Sequence, residues 1–237
     1  MKTLSIECAE IRDVADAIRK AGARSALFCS ARAPHEASPI AYVAAQRLAA
    51  EGARTLLIDL NMAHPYTTEI LALPQSPWRL SDSDAVCDAI FEIPTRSLSI
   101  LTPPSGAGVP LREQSEIAVR RFLDTLKERF DVVVIDGPGV IDRGAVGVSA
   151  LLLAACCDAV LLGVSTGETA TAAVAAAKAR FDARNISLSG VVMDDAAFPP
   201  LKEELRRQAS KISPIAPKVA NWLVARINAS RLLDVDY

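Results

Sequence analysis

The sequence predicts an α/β fold in which a doubly wound, mostly parallel sheet is flanked by helices. Short apolar runs recur along the chain, with segments of helical composition between them. Apolarity in these runs is continuous rather than alternating, which is typical of parallel strands that helices cover on both faces. The intervening segments are long enough to bring the chain back to a parallel neighbour. Together these observations predict a three-layer sandwich.

The elements follow in chain order. Six apolar runs predict strands at 25–30, 54–60, 98–103, 130–138, 159–165 and 188–194. Helices are predicted over 38–51, 113–129, 144–157 and 169–184. Ser38 is expected to cap the first of these helices, with Pro39 at its first position. The proline- and serine-rich stretch 65–108 is expected to form surface helices and loops around one strand.

A further helix is predicted near the end of the chain, after two prolines. Its apolar residues near one face are Val219, Trp222, Leu223 and Ile227. We expect this face to pack on the domain. A helix lying on a membrane surface is the alternative, disfavoured because the positive charge around it is thin.

Composition limits the classes of function. The 237 residues and a hydrophobic fraction of 51% suffice for one domain with a sizeable core. With 26 basic and 28 acidic residues the net charge is −2, which argues against a nucleic-acid partner. Neither a signal peptide nor a spanning segment is evident, so a cytoplasmic location is expected. The five cysteines lack metal-binding spacing and are expected to be reduced thiols.

Three segments of the sequence, called landmarks below, contain most of the candidate site residues. A strand, a loop and a helix occupy 25–51, and the loop reads "SARAPHEASPIA". The run "LLIDLNMAHP" follows and contains Asp59, and the later run "FDVVVIDGPGV" contains Asp136. Both aspartates end apolar strands, where a carboxylate in a doubly wound fold either lines the ligand crevice or caps the next turn. The sequence leaves these two roles open.

In their order and spacing the landmarks resemble the bacterial tyrosine kinases of capsule and exopolysaccharide export, relatives of the ParA and MinD ATPases. That family reads S-A-x-P-G-E-G-K-S-T, then L-L-I-D-x-D-x-R-x-P, then Y-D-x-V-I-I-D-x-P-P. The match runs from Arg24 to Asp195. The resemblance implies a single P-loop NTPase-like domain over 1–237, with a nucleotide site at the loop after the first strand.

The loop departs from that pattern at the positions that would hold phosphate. Without a gap, Pro34 and Glu36 take the places of two glycines, Ala37 that of the lysine, Ser38 that of the magnesium-binding hydroxyl, and Pro39 that of the threonine. Proline fixes φ and removes an N–H donor, so Pro34 and Pro39 should spoil the phosphate-binding backbone. Ala37 removes the ammonium group, and Glu36 adds a negative charge that faces the same anion.

Other family positions match only in part. Asp59 and Asp136 match family carboxylates and are the residual catalytic candidates, and Ser38 with Asp136 would hold magnesium if it binds. Asn61 replaces the second carboxylate of its motif, and Asp194 takes the place of the asparagine that contacts the adenine ring. The family's C-terminal tyrosine cluster is reduced to Tyr237, which is the candidate for phosphorylation.

Two hypotheses follow from the resemblance. The first is a non-catalytic relative of these kinases that needs no cofactor. It would remain cytoplasmic and be recruited to the inner membrane by a polysaccharide co-polymerase or export protein, and it could form a homo-oligomer. The second is an active ATPase or tyrosine autokinase that binds ATP and magnesium atypically. It would use Asp59, Asp136 and Ser38, with a cation from Arg32, His35 or a neighbouring subunit. A MinD-like positioning ATPase is a third option, disfavoured because the loop lacks the lysines that such proteins use.

Overall fold

A computed structural model describes residues 4–32, 36–93, 97–106, 109–110, 113–142, 147–195, 205–206, 208–209, 211 and 216–228. The chain divides into two compact units, Lys2–Asp194 and Asp195–Tyr237, the latter including Met1. The first unit contains the sheet. Among its described residues, the second contains the helix α8 (Pro217–Asn228).

The first unit alternates strands and helices. Its strands are β1 (Ser25–Ser30), β2 (Thr55–Asp59), β3 (Ile90–Glu92), β4 (Leu98–Leu101), β5 (Val132–Asp136), β6 (Ala159–Ser165) and β7 (Gly190–Asp194). Its helices are α1 (Ala9–Lys20), α2 (Ser38–Ala50), α3 (Tyr66–Ile70), α4 (Ser83–Asp88), α5 (Glu116–Arg129), α6 (Ala150–Ala154) and α7 (Thr171–Asp182). Within the described residues, no helix combines the length and apolarity needed to cross a bilayer.

The seven strands form one sheet in the order β3-β4-β2-β5-β1-β6-β7. Every neighbouring pair is parallel except β3 and β4, which are antiparallel. The predicted doubly wound, mostly parallel sheet is therefore confirmed. The prediction of one strand within 65–108 is wrong, because β3 pairs with β4 at the edge. A three-residue strand is too short to show a hydrophobic period in the sequence.

Burial follows the position of each strand. β1, β2, β4, β5 and β6 are buried along their whole length, as their continuous apolarity predicts. β7 instead alternates and exposes Val191 and Met193, because it lies at the edge of the sheet. One hydrophobic core lies on each side of the sheet, and α1 and α2 contribute to one of them.

Candidate functional site at the carboxyl ends of β2 and β5

Two buried carboxylates meet where β2 and β5 end. The strands pair in parallel register, so that Asp59 lies beside Asp136. β1 pairs with the other side of β5, and its chain continues through a loop into α2. The carboxyl ends of parallel strands form the edge where ligands bind in open α/β sheets. The sheet topology thus brings together the strand-end residues that the sequence singled out.

Ser38 links the start of α2 to this carboxylate pair. Its Oγ donates a hydrogen bond to Oδ1 of Asp136 at 2.9 Å. Asn61 Nδ2 donates to the same Ser38 Oγ at 3.3 Å. The prediction that Ser38 caps the helix is wrong, because Ala37 is the N-cap residue and no side-chain hydrogen bond caps the helix. The hydroxyl is directed at Asp136 instead, and Pro39 is the second residue of the helix rather than the first, as Ser38 begins it.

Asp59 is held by the helix that follows its strand. Its Oδ2 accepts hydrogen bonds from the backbone N–H of Thr68 at 3.2 Å and from the Thr68 hydroxyl at 3.0 Å. The sequence reasoning missed Thr68. Its position nine residues after Asp59, in the stretch predicted to form surface helices and loops, offered no signal beyond its ability to donate. The bonds fix one side of the carboxylate and leave Oδ1 facing the interior.

Burial dominates the electrostatics of the pair. Loss of solvent raises the pKa of Asp59 to about 6, although its hydrogen bonds with Thr68 oppose the rise. Burial and the charge of Asp59 raise the pKa of Asp136 well above its usual range. Among the described residues, neither Asp59 Oδ1 nor Asp136 Oδ2 has a hydrogen-bond partner, and no basic side chain forms an ion pair with either aspartate.

The donor set tests whether a magnesium ion fits here. Hydroxyl and carboxylate oxygens are the ligands that Mg²⁺ prefers, and Asp136 Oδ2 and Asp59 Oδ1 have free acceptor capacity. In the part of the chain that the structure describes, no group of three or more His, Cys, Asp or Glu side chains could hold a metal. Mg²⁺ usually binds through one or two carboxylates together with substrate phosphates. Ser38, Asp59 and Asp136 therefore fit magnesium only together with a phosphate ligand.

Glu36 occupies the end of the loop between β1 and α2. It is 7% exposed, and its Oε1 accepts a hydrogen bond from the Thr169 hydroxyl. Thr169 Oγ1 in turn accepts from the backbone N–H of Ser165 at 2.9 Å. Burial raises the pKa of Glu36, and the nearby charge of Glu168 adds to the rise while the Thr169 bond opposes it. A buried acid thus joins the loop after β1 to the loop after β6.

Ala37 lies directly over β6. A Cβ built on Gly163 would lie 2.9 Å from both the Cα and the Cβ of Ala37, closer than real Cβ atoms approach other atoms. Ala37 is 1% exposed. The glycine in β6 thus allows α2 to begin against the strand, and the Ala37 methyl faces the strand rather than solvent. The position that the resemblance assigns to a lysine is occupied by packed backbone and one methyl group.

The loop after β5 holds the beginning of the loop after β1. Val140 N donates to Ser30 O at 2.9 Å, and Ile141 N donates to Ala31 O at 3.0 Å. A Cβ on Gly139 would lie 2.7 Å from the carbonyl oxygen of Arg32. Arg32, the cation proposed in the alternative hypothesis, is exposed at this point.

The remaining predicted residues are not part of this cluster. Asp194 ends β7, which is separated from β5 by β1 and β6, and its carbonyl accepts from Thr166 N at 2.8 Å. Pro34, His35 and Tyr237 lie outside the described residues. The structure therefore unites Ser38, Asn61, Asp59 and Asp136, and places Glu36 beside β6.

Comparison with known proteins supports the fold. No family model and no curated protein matches the sequence. Among solved structures, the VpsO kinase domain is similar at 18% identity and a TM-score of 0.64, over 78% of this chain and 92% of that chain. The kinase domain of the Escherichia coli tyrosine kinase ETK is 15% identical with a TM-score of 0.63, over 77% of this chain and 71% of that one.

The likeness extends to the MinD ATPases. MinD of Aquifex aeolicus, a cell division protein, is 15% identical with a TM-score of 0.52, over 81% of this chain and 78% of that chain. These identities establish shared architecture rather than shared chemistry. This chain has the P-loop NTPase-like fold found in bacterial tyrosine kinase domains and in MinD.

Proposed function

We propose that this chain is a non-catalytic protein with the fold of the bacterial tyrosine kinases, which acts in exopolysaccharide biosynthesis and export by docking on a membrane-embedded co-polymerase or export protein. Two features support the proposal: the fold of tyrosine kinase domains, and a loop whose residues oppose a triphosphate. The chain is cytoplasmic and reaches the inner membrane through its partner. It needs neither ATP nor magnesium for this role.

The buried carboxylate of Glu36 carries the proposal. A P-loop binds phosphate because backbone N–H groups and the positive end of the helix dipole converge on the anion. Here a tethered acid lies two residues before α2 and contacts Thr169 across the sheet edge. An ionised Glu36 would repel a triphosphate strongly in a site of low dielectric. A protonated Glu36 would offer no positive charge either, and it would still fill a position where the family pattern has glycine.

Pro39 and Ala37 also make the loop less able to bind a phosphate. Pro39 lacks an N–H group, so the first turn of α2 has one donor fewer for an anion. Ala37 supplies no charge, and its methyl is packed over β6. A charged hydrogen bond of the kind that a lysine would make is worth about 1.5–3 kcal/mol. These losses add to the repulsion from Glu36.

Calorimetry with ATP and Mg²⁺ tests this proposal. We expect no binding by the parent protein and measurable binding by the loop variant Pro34→Gly, Glu36→Gly, Ala37→Lys, with a gain of roughly tenfold or more from the restored charge alone. The matched control carries methionine in place of lysine, in Pro34→Gly, Glu36→Gly, Ala37→Met, and separates charge from loop flexibility. Micromolar binding by the parent would contradict the proposal, and a silent lysine variant would show that the loop is not the cause.

The proposed docking on a membrane-embedded partner is tested by a separate experiment. Co-expression with the membrane-embedded polysaccharide co-polymerase of the same organism should give a complex that co-purifies from detergent without nucleotide. Deleting this chain should then alter the amount or length of the exported polysaccharide. A complex that forms only with added ATP would argue against a non-catalytic role.

The second candidate is an active ATPase or autokinase with an atypical site. The observation in its favour is the arrangement of Ser38, Asp136 and Asp59, which could order magnesium beside a bound phosphate. Under this hypothesis the parent hydrolyses ATP, and Asp136→Asn abolishes turnover while Asp124→Asn on the exposed face of α5 does not. An assay of released phosphate that finds no turnover in the parent removes this candidate.

A further inference from the structure

Positive charge is concentrated near the end of the chain. Between positions 205 and 233 there is no Asp or Glu, although the chain as a whole has a net charge of −2. The basic residues of this stretch are Arg206, Arg207, Lys211, Lys218, Arg226 and Arg231. The rest of the chain is therefore distinctly acidic. Such asymmetry in charge is a sign of an interaction segment rather than of a structural requirement.

Helix α8 lies within this basic stretch and exposes apolar side chains. Trp222 is 61% exposed and Val219 is 50% exposed, whereas Leu223 and Ile227, the other two apolar residues of the predicted face, are half-buried. Lys218 and Arg226 are also exposed. Residues 219, 222 and 226 are spaced so that they share one side of the helix, and 218 lies next to it. One side of α8 thus combines an exposed indole, a valine and two cations.

We infer that α8 binds directly to the surface of an anionic lipid bilayer, with Trp222 and Val219 entering the headgroup boundary and Lys218 and Arg226 facing lipid phosphates. Tryptophan favours the membrane interface because its ring is apolar and its N–H is polar. Clusters of basic residues around an amphipathic helix are attracted to anionic headgroups. With 12 residues the helix is about 18 Å long, too short to cross the hydrocarbon core.

The charge of the segment favours a bilayer over other acidic partners. A nucleic acid would be held chiefly by the cations, and the two exposed apolar side chains would gain little from phosphate contacts. A bilayer accepts both kinds of group at once, since its headgroups are anionic and its boundary is apolar. The inference is independent of the nucleotide question, and it gives the chain a membrane contact of its own besides the proposed protein partner.

Vesicle binding by the full chain tests the inference. We expect the protein to co-sediment with vesicles of phosphatidylcholine and phosphatidylglycerol, and not with phosphatidylcholine alone, and to be released by added salt. Of the two tryptophans, Trp78 is buried and stacked on Phe122, so a blue shift of fluorescence on binding reports Trp222. Failure to bind anionic vesicles, or equal binding to neutral ones, would overturn the inference.

Variants locate the contact. Lys218→Glu with Arg226→Glu should weaken binding to anionic vesicles roughly tenfold or more. Arg121→Glu with Arg184→Glu changes the net charge equally at two exposed positions elsewhere and should leave binding within about twofold. Trp222→Ala should weaken binding without changing its dependence on salt. An equal loss in both double variants, or tighter binding to duplex DNA than to vesicles at the same ionic strength, would show that α8 is not a lipid-binding element.

Discussion

The carboxyl edge of the sheet contains two regions that differ in how they relate to nucleotide chemistry. The strand-end region, formed by Asp59 and Asp136 with Ser38, matches the family pattern in residue type, and its side chains lie together in this chain. The loop region, formed by Glu36 and Ala37 against β6, departs from the pattern at both positions. Residues that end buried strands are fixed by the sheet. Residues in the loop have no strand pairing, so only their own side-chain and backbone contacts hold them in place.

Both regions are acidic and buried, so neither of them offers a positively charged side chain of its own to a phosphate. Asp59, Asp136 and Glu36 all have raised pKa values, and loss of solvent is the first cause in each case. A buried carboxylate without a cation relieves its cost by taking up a proton. The difference between the regions is that the strand-end acids could serve a metal, whereas the loop acid serves only to connect two loops.

The largest expected effect concerns the strand-end region. Asp59→Asn should stabilise the fold at pH 8 by about 3 kcal/mol, because a pKa near 6 instead of about 4 costs roughly 1.4 kcal/mol per unit when the group ionises. The amide oxygen can still accept both bonds from Thr68. Denaturant unfolding of the two proteins measures the difference.

The pH dependence of the free energy of unfolding tests whether ionised Asp59 destabilises the fold. The folded parent holds its proton up to about pH 6, whereas the unfolded chain loses it near pH 4, so the parent should lose stability as pH rises between these values. The Asn variant should lack the part of this slope that Asp59 contributes. Asp124→Asn on the exposed face of α5 is the control and should follow the parent. A stabler parent at pH 8 would mean that Asp59 is stabilised by an unseen cation.

The next effect concerns packing in the loop region. Gly163→Ala should destabilise the fold by about 2 kcal/mol, since the new methyl would lie 2.9 Å from the backbone of Ala37, which cannot move without shifting the start of α2. Gly190→Ala in β7 is the matched control, because its Cβ would meet only Leu161 Cδ2 at 3.7 Å. Thermal unfolding of the two variants measures the difference. Equal stability would show that the loop after β1 can lift from the sheet at little cost.

The sequence predicted the sheet better than the site. Continuous apolar runs located β1 and β6 to the residue, because a strand buried on both faces leaves no polar position inside it. β3 was missed because three residues, two half-buried and one exposed, are too few to show a hydrophobic period. Asp59 and Asp136 could be predicted as neighbours, since parallel strands end at the same edge.

The contacts of the loop residues could not be predicted in the same way. The partner of Ser38 is 98 positions away and that of Glu36 is 133 positions away, and neither pairing follows from a local pattern. Ser38 followed by proline predicts an N-cap, but the tertiary contact with Asp136 takes the hydroxyl instead. Local sequence patterns predict the cap that an isolated helix could form. In the folded chain, Ser38 instead contacts Asp136 at the end of β5.

The smallest effect isolates the contact between the two loops. Thr169→Val removes the donor to Glu36 and the acceptor for Ser165 N, and should cost roughly 1 kcal/mol, the usual net contribution of such hydrogen bonds. Thr171→Val on the exposed first turn of α7 is the control. In a Glu36→Ala background the cost of Thr169→Val should fall, since only the bond to Ser165 is then lost. Urea unfolding of the four combinations gives the coupling directly. No coupling would mean that Glu36 is buried by packing alone, and that the acid does not tie the loop after β1 to β6.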